Sequence, residues 1–262
     1  MLHCAKISIQ KTRKTIVIGP SNRFANSQLR TGGWAEEVAC HVAAGVKRKS
    51  CPSYYDVFKW IHQKIQVMPL PLPDVKLPLR FAAFLGFLAI KSVINNFRVG
   101  NCETMNMLVI EQMVEGICKQ PESFGQVALD YVAADFNKHF FVMVNAVESK
   151  FPDFLDVKSC GEQAFVIDAY NNIICPVTEM DRQQRHYFGG YRRYNRVFRL
   201  NFPEDRNMVI NIARHFNQFI VPNLESSLCL IYPNIPWLVE KSNLADLSLT
   251  CKEDADKAFT LG

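Results

Sequence analysis

Cys102, His139 and Asp168 are the three side chains whose types and positions could do chemistry together. Cys102 follows Gly100-Asn101 and opens a stretch in which Met105, Leu108, Val109, Met113 and Ile117 recur at helical spacing, ending near Gly116 to Cys118. A thiol at a helix start meets free N–H groups and the positive end of the helix dipole, which favour the nucleophilic thiolate. His139 opens a strand-like run, His139 to Ala146, and Asp168 stands near the end of the next, Gln163 to Tyr170. An imidazole on one strand takes the thiol proton, and a carboxylate on the neighbouring strand holds the ring in the right tautomer. Taken singly, each has a plainer reading. A cysteine is most often an inert small hydrophobe, a strand-edge histidine a hydrogen-bonded structural residue, and an aspartate after a strand a turn former.

The other eight cysteines, at positions 4, 40, 51, 118, 160, 175, 229 and 251, are scattered and form no CxxC pair. The total is odd, so neither a disulfide framework nor a two-knuckle zinc site is expected, and free thiols fit a reducing compartment such as the cytoplasm. Cys102, His139 and Asp168 are also zinc-ligand types, but no closely spaced pair such as HxxxH anchors a site. No cofactor and no metal are called for. His3, His41, His62, His186 and His215 show no pairing of their own.

The chain has 262 residues, 48% hydrophobic and 21% charged, with a net charge of +5. This is a globular composition, with enough chain to bury a core without staples. The charge excess is too small to indicate nucleic acid by itself. Met1 to Lys14 lacks the apolar segment of a cleaved signal peptide. The longest apolar run, Phe81 to Ile90 between Arg80 and Lys91, falls well short of the roughly 20 residues of a membrane span, so no transmembrane segment is expected.

The elements that must position the three residues follow an α+β order. Residues 1–75 read as an accessory segment: a hairpin from the alternation at Lys6 to Ile9 and the β-branched run Thr15 to Gly19, then two helices around Trp34 to Val42 and Val57 to Ile65. Pro69, Pro71, Pro73 and Pro78 break regular structure and act as a stiff connector. The core, 76–202, begins with an apolar helix from Leu79 to Asn96 and continues through the Cys102 helix. Val127 to Ala134 fits either helix or strand, and Tyr187 to Phe202 supplies a third strand. The remainder, 203–262, holds a helix marked by Met208, Val209, Ile212, Ala213, Phe216 and Ile220, and a closing strand and turn at Leu228 to Trp237.

Gly100-Asn101-Cys102, Gly116-Ile117, His139-Phe140-Phe141-Val142 and Phe165-Val166-Ile167-Asp168-Ala169-Tyr170 together resemble the core of the papain-like cysteine enzymes, in particular the transglutaminase-like branch. The likeness covers Gly100 to Tyr170. It departs from the family at Met105 or Asn106, at one of which alanine is usual, and between Cys118 and Asn137. The resemblance implies a buried helix carrying the nucleophile, packed on an antiparallel sheet. It also implies acyl transfer at a protein amide, as a protease, deamidase or transglutaminase, with Cys102 as nucleophile, His139 as general base and acid, and Asp168 orienting His139. Asn96 stands where papain-like enzymes often place an oxyanion-binding amide. In style the chain is similar to host-directed bacterial effectors, which would make the substrate a host protein and imply delivery into a host cell without a cleaved signal.

A different class of function is suggested by Arg182, Arg185, Arg192, Arg193, Arg196 and Arg199, which are interleaved with Tyr187, Phe188, Tyr191 and Tyr194 and contain no acidic residue among them. Such a segment suits single-stranded nucleic acid, but a solvated sheet face or a dock for an acidic protein at Arg192, Arg193 and Arg196 is the favoured reading. On that reading the chain is a non-catalytic interaction module on the same scaffold.

Overall fold

A computed structural model describes residues 1–16, 81, 83–88, 91, 102–134, 139–148, 155, 159–180, 194–231, 241 and 243–245. Its architecture is α+β, built on a five-stranded antiparallel sheet.

The central helix, α2 (Cys102–Lys119), is mostly apolar along its length, and thirteen of its eighteen residues are buried. A helix buried nearly all round sits inside the core rather than on it. Glu103 in its first turn and Lys119 in its last complement the helix dipole. Its C-terminal end is further satisfied by Arg206, which donates to the Cys118 carbonyl at 3.0 Å.

The strands are β1 (Val127–Ala134), β2 (His139–Val144), β3 (Phe165–Asp168), β4 (Ile173–Pro176) and β5 (Tyr194–Phe202), in the spatial order β4-β3-β2-β1-β5. Alternate residues of β1 and β2 feed two separate apolar clusters. Leu129, Tyr131, Ala133, Phe140, Val142 and Val144 join α2 in the larger one, while Val132, Ala134, Phe141 and Met143 join the smaller. Both faces of the sheet are therefore covered, and this is why the apolar residues of Val127 to Ala134, interrupted only by Asp130, fit either period. The Asp168-to-Ile173 turn is tight enough to place Asn172 at φ 59°, a left-handed conformation that asparagine tolerates.

The N-terminal hairpin is not formed. Leu2–Thr15 is a helix, α1, whose buried residues Ala5, Ser8, Ile9 and Thr12 recur every three or four positions. It packs against α2 at a close approach: a Cβ on Gly116 would come within 3.1 Å of Cys4 Sγ. Ala5 and Ile9 belong to the same apolar cluster as α2. Residues 17–19 and the two helices expected near Trp34 and Val57 lie outside the described residues, as does the proline connector.

The expected helix from Leu79 is helical at 83–88, where Phe84, Leu85, Phe87 and Leu88 are buried. Farther along it, Lys91 forms a buried ion pair of 2.6 Å with Glu111 of α2. After β5, the chain forms α3 (Arg206–His215), a π-helical turn (Phe216–Ile220) and α4 (Val221–Ile231). Leu228 to Ile231 is thus helical rather than the start of a closing strand; the rest of that segment, 232–237, lies outside the described residues. None of the described helices is long and apolar enough to cross a membrane.

Candidate functional site

Three elements converge at one end of the sheet. β2 and β3 are antiparallel neighbours, with Val142 opposite Ile167, so the beginning of β2 and the end of β3 share an edge of the sheet. His139 is the first residue of β2, Asp168 the last of β3, and Cys102 the first of α2. All three are buried.

The His139 Nε2 and Asp168 Oδ2 atoms are 2.8 Å apart, and the Cys102 thiol is a second hydrogen-bonding partner of the imidazole. Burial presses the ring toward its neutral form. The hydrogen bonds to Asp168 and Cys102, reinforced by the charges of both, outweigh that pressure, and the His139 pKa is pushed up to about 9. The ring is braced on two sides: Tyr170 meets it edge-on at 5.6 Å and Phe141 lies beside it at 6.3 Å.

Asp168 is fully buried and well satisfied. Oδ1 accepts from the Tyr170 and Asn171 backbone N–H groups at 3.0 and 3.2 Å, and Oδ2 accepts from the Asn171 side chain at 2.7 Å. Behind it, Arg13 of α1 donates to the Ala169 carbonyl at 3.0 Å, tying the N-terminal helix to the turn that carries the carboxylate. In front, the Tyr131 hydroxyl donates to the Glu103 carbonyl at 3.0 Å beneath the first turn of α2. Burial raises the Glu103 pKa, and it holds the Tyr131 pKa well above the phenol range, aided by the charges of Glu103 and Cys102.

The residue that sequence reasoning missed is Asn106. It is fully buried in α2, one turn beyond Cys102. Its Nδ2 donates to the Cys102 carbonyl at 2.9 Å, the Phe140 carbonyl at 2.7 Å and Asp168 Oδ1 at 3.2 Å, while its Oδ1 accepts from the Ala169 N–H at 2.8 Å. A signal was available: asparagine is a poor helix former, and one set between the apolar residues Met105 and Met107 of a buried helix needs a buried partner.

The structure brings Cys102, His139 and Asp168 together. Asn96 and the Gly100-Asn101 turn lie outside the described residues, and so do Arg182, Arg185, Arg192 and Arg193. The expected docking role of Arg196 is corrected. Its side chain is 6% exposed, and Nε lies 2.6 Å from Oδ1 of the fully buried Asp130, so its charge is spent inside the fold. Arg199 also faces Asp130, at 3.7 Å, and donates to the Ala146 carbonyl. Among the described residues no cluster of His, Cys, Asp and Glu could hold a metal ion. Among the described residues Cys4, Cys102, Cys118, Cys160 and Cys175 form no disulfide.

A thiol, an imidazole and a carboxylate linked in that order can ionise the thiol, attack an electrophilic carbon and return the proton to a leaving group. No family model and no curated protein sequence matches the chain.

Proposed function

We propose that the chain is a cysteine-dependent acyl-transfer enzyme acting on protein amides, on a core of papain-like or transglutaminase-like type. The observation that carries this reading is the linked series of Cys102 at the start of α2, His139 at the start of β2 and Asp168 at the end of β3. The resemblance of the surrounding segments to that superfamily supports it.

Cys102 Sγ attacks the amide carbonyl carbon, and the electron pair of the C=O bond moves to oxygen. The Cys102 backbone N–H, which has no acceptor within its own helix, is the first proposed donor to that oxyanion, and Asn96 is the second. As the intermediate collapses the C–N bond breaks, and the His139 imidazolium gives its proton to the departing amine. A thioester remains on Cys102. Water or an amine then attacks it, His139 takes the nucleophile's proton, and the thiol is regenerated. Asp168 holds the imidazole in place throughout. Water gives proteolysis or deamidation; an amine gives transamidation.

The test is incubation of the full chain with a cell-protein extract and a fluorescent primary amine, reading amine incorporation, ammonia release and peptide-bond cleavage. At least one should exceed the Cys102→Ala background by 100-fold or more, about the minimum that nucleophilic and acid–base catalysis together supply. If all three match that background, the chain is not an acyl-transfer enzyme of this kind.

A further inference from the structure

Asn106 joins the three elements that carry the candidate site. One amide group reaches the backbone of the nucleophile's own residue, the backbone of β2 next to His139, the Asp168 carboxylate and the N–H that follows it. We propose that Asn106 is a positioning residue: it fixes the angle of the Asp168 carboxylate and locks the start of α2 to the ends of β2 and β3. This rests on the acyl-transfer reading for its purpose, but its physical content is separate from it.

The chemistry requires an amide at this position. Three acceptors and one donor converge on Asn106, and a side chain with both an NH2 group, whose two hydrogens are shared among the three acceptors, and a carbonyl oxygen meets them. Its oxygen faces the Ala169 N–H, which fixes the amide orientation and turns Nδ2 toward Asp168 Oδ1. Oδ1 of Asp168 is thereby held by Asn106 and two backbone N–H groups, leaving Oδ2 for His139 and Asn171. Alanine would strand buried groups on three elements at once, and the carboxylate would be free to turn away from the imidazole.

The experiment follows the His139 ring resonances of the full chain by NMR as pH is raised, with His139→Gln supplying the assignment. In Asn106→Ala the titration midpoint should fall by at least about one unit toward an ordinary histidine, and alkylation of Cys102 by iodoacetamide should slow at least about tenfold. Met113→Ala, a cavity in the same helix away from the site, loses stability but should keep both properties of the wild type. If Asn106→Ala changes neither property, Asn106 only holds the fold together and the proposal fails.

Should Asn106→Ala not fold, Asn106→Asp decides the matter. Its introduced carboxyl donates only while protonated, so Cys102 alkylation relative to the wild type at the same pH should decline from about pH 6 to about pH 8. A wild-type profile in that variant overturns the proposal. A positive result at Asn106 without any acyl transfer by the wild type would instead reject the proposed function alone.

Discussion

Asp168→Asn is expected to lower acyl transfer by about 10,000-fold, the scale on which a triad loses activity when its orienting carboxylate becomes an amide. The reason lies in what Asp168 faces. Every hydrogen-bonding group around it is a donor: the Tyr170 and Asn171 N–H groups, the amides of Asn106 and Asn171, and His139 Nε2 when it carries its proton. An amide has one acceptor oxygen instead of two, so its NH2 group must meet a donor. If it faces His139, it favours the tautomer with a bare Nε2, which places the ring's proton on the side of Cys102. That imidazole can no longer accept the thiol proton. The negative charge that helps to push the His139 pKa up to about 9 is removed as well, so the midpoint should fall toward 6.5. Initial rates of amine incorporation or ammonia release, compared at equal folded fraction, check this. A loss smaller than about tenfold would show that Asp168 does not orient a catalytic base.

Asp130→Ala should destabilise the fold by about 3–5 kcal/mol, the cost of leaving a buried charge without its partner. Asp130 is fully buried, and the side chains of Arg196 and Arg199 beside it are 6% and 12% exposed. Burial drives the Asp130 pKa up to about 6 despite the opposing pull of Arg199 and Arg196. For the Asp130 carboxylate, lost hydration thus outweighs the attraction of the two arginines. Removing the carboxylate alone is worse, because two guanidinium groups remain between β1 and β5. Urea unfolding of Asp130→Ala should show the loss, and Asp130→Leu combined with Arg196→Met should recover most of it. A loss below about 1 kcal/mol for the single variant would mean that water reaches the arginines.

Much of the sheet and the central helix was legible because burial there follows simple periods. Met105, Leu108, Val109, Met113 and Ile117 give α2, and the unbroken apolar runs after His139 and before Asp168 give β2 and β3. β4 escaped notice because Ile173–Pro176 is four residues long and ends in proline, which removes a ladder donor. The alternation at Lys6 to Ile9 suggested a strand, but over fourteen residues the stripe of Ala5, Ser8, Ile9 and Thr12 has the helical period, and packing on α2 decides it. Arg196 has the sequence context of a surface cation because its partner Asp130 is distant in sequence and becomes a neighbour only through the β1–β5 pairing. Asn106 does not stand out for a similar reason: its four partners come from α2, β2, the end of β3 and the residue after it, which only the fold assembles.

On the proposed reading, His139 sets Cys102 apart from the other thiols. The most direct measurement is the rate at which iodoacetamide alkylates each cysteine of the full chain at about pH 6, read by peptide mapping, in the wild type and in His139→Ala. Cys4 is the internal reference: it is more exposed than Cys102, and burial raises its thiol pKa above the ordinary 9.0. Cys102 should react at least about 100-fold faster than Cys4 in the wild type, and lose that advantage in His139→Ala. Equal rates at Cys102 and Cys4, or an advantage that survives the loss of His139, would mean that His139 does not activate Cys102.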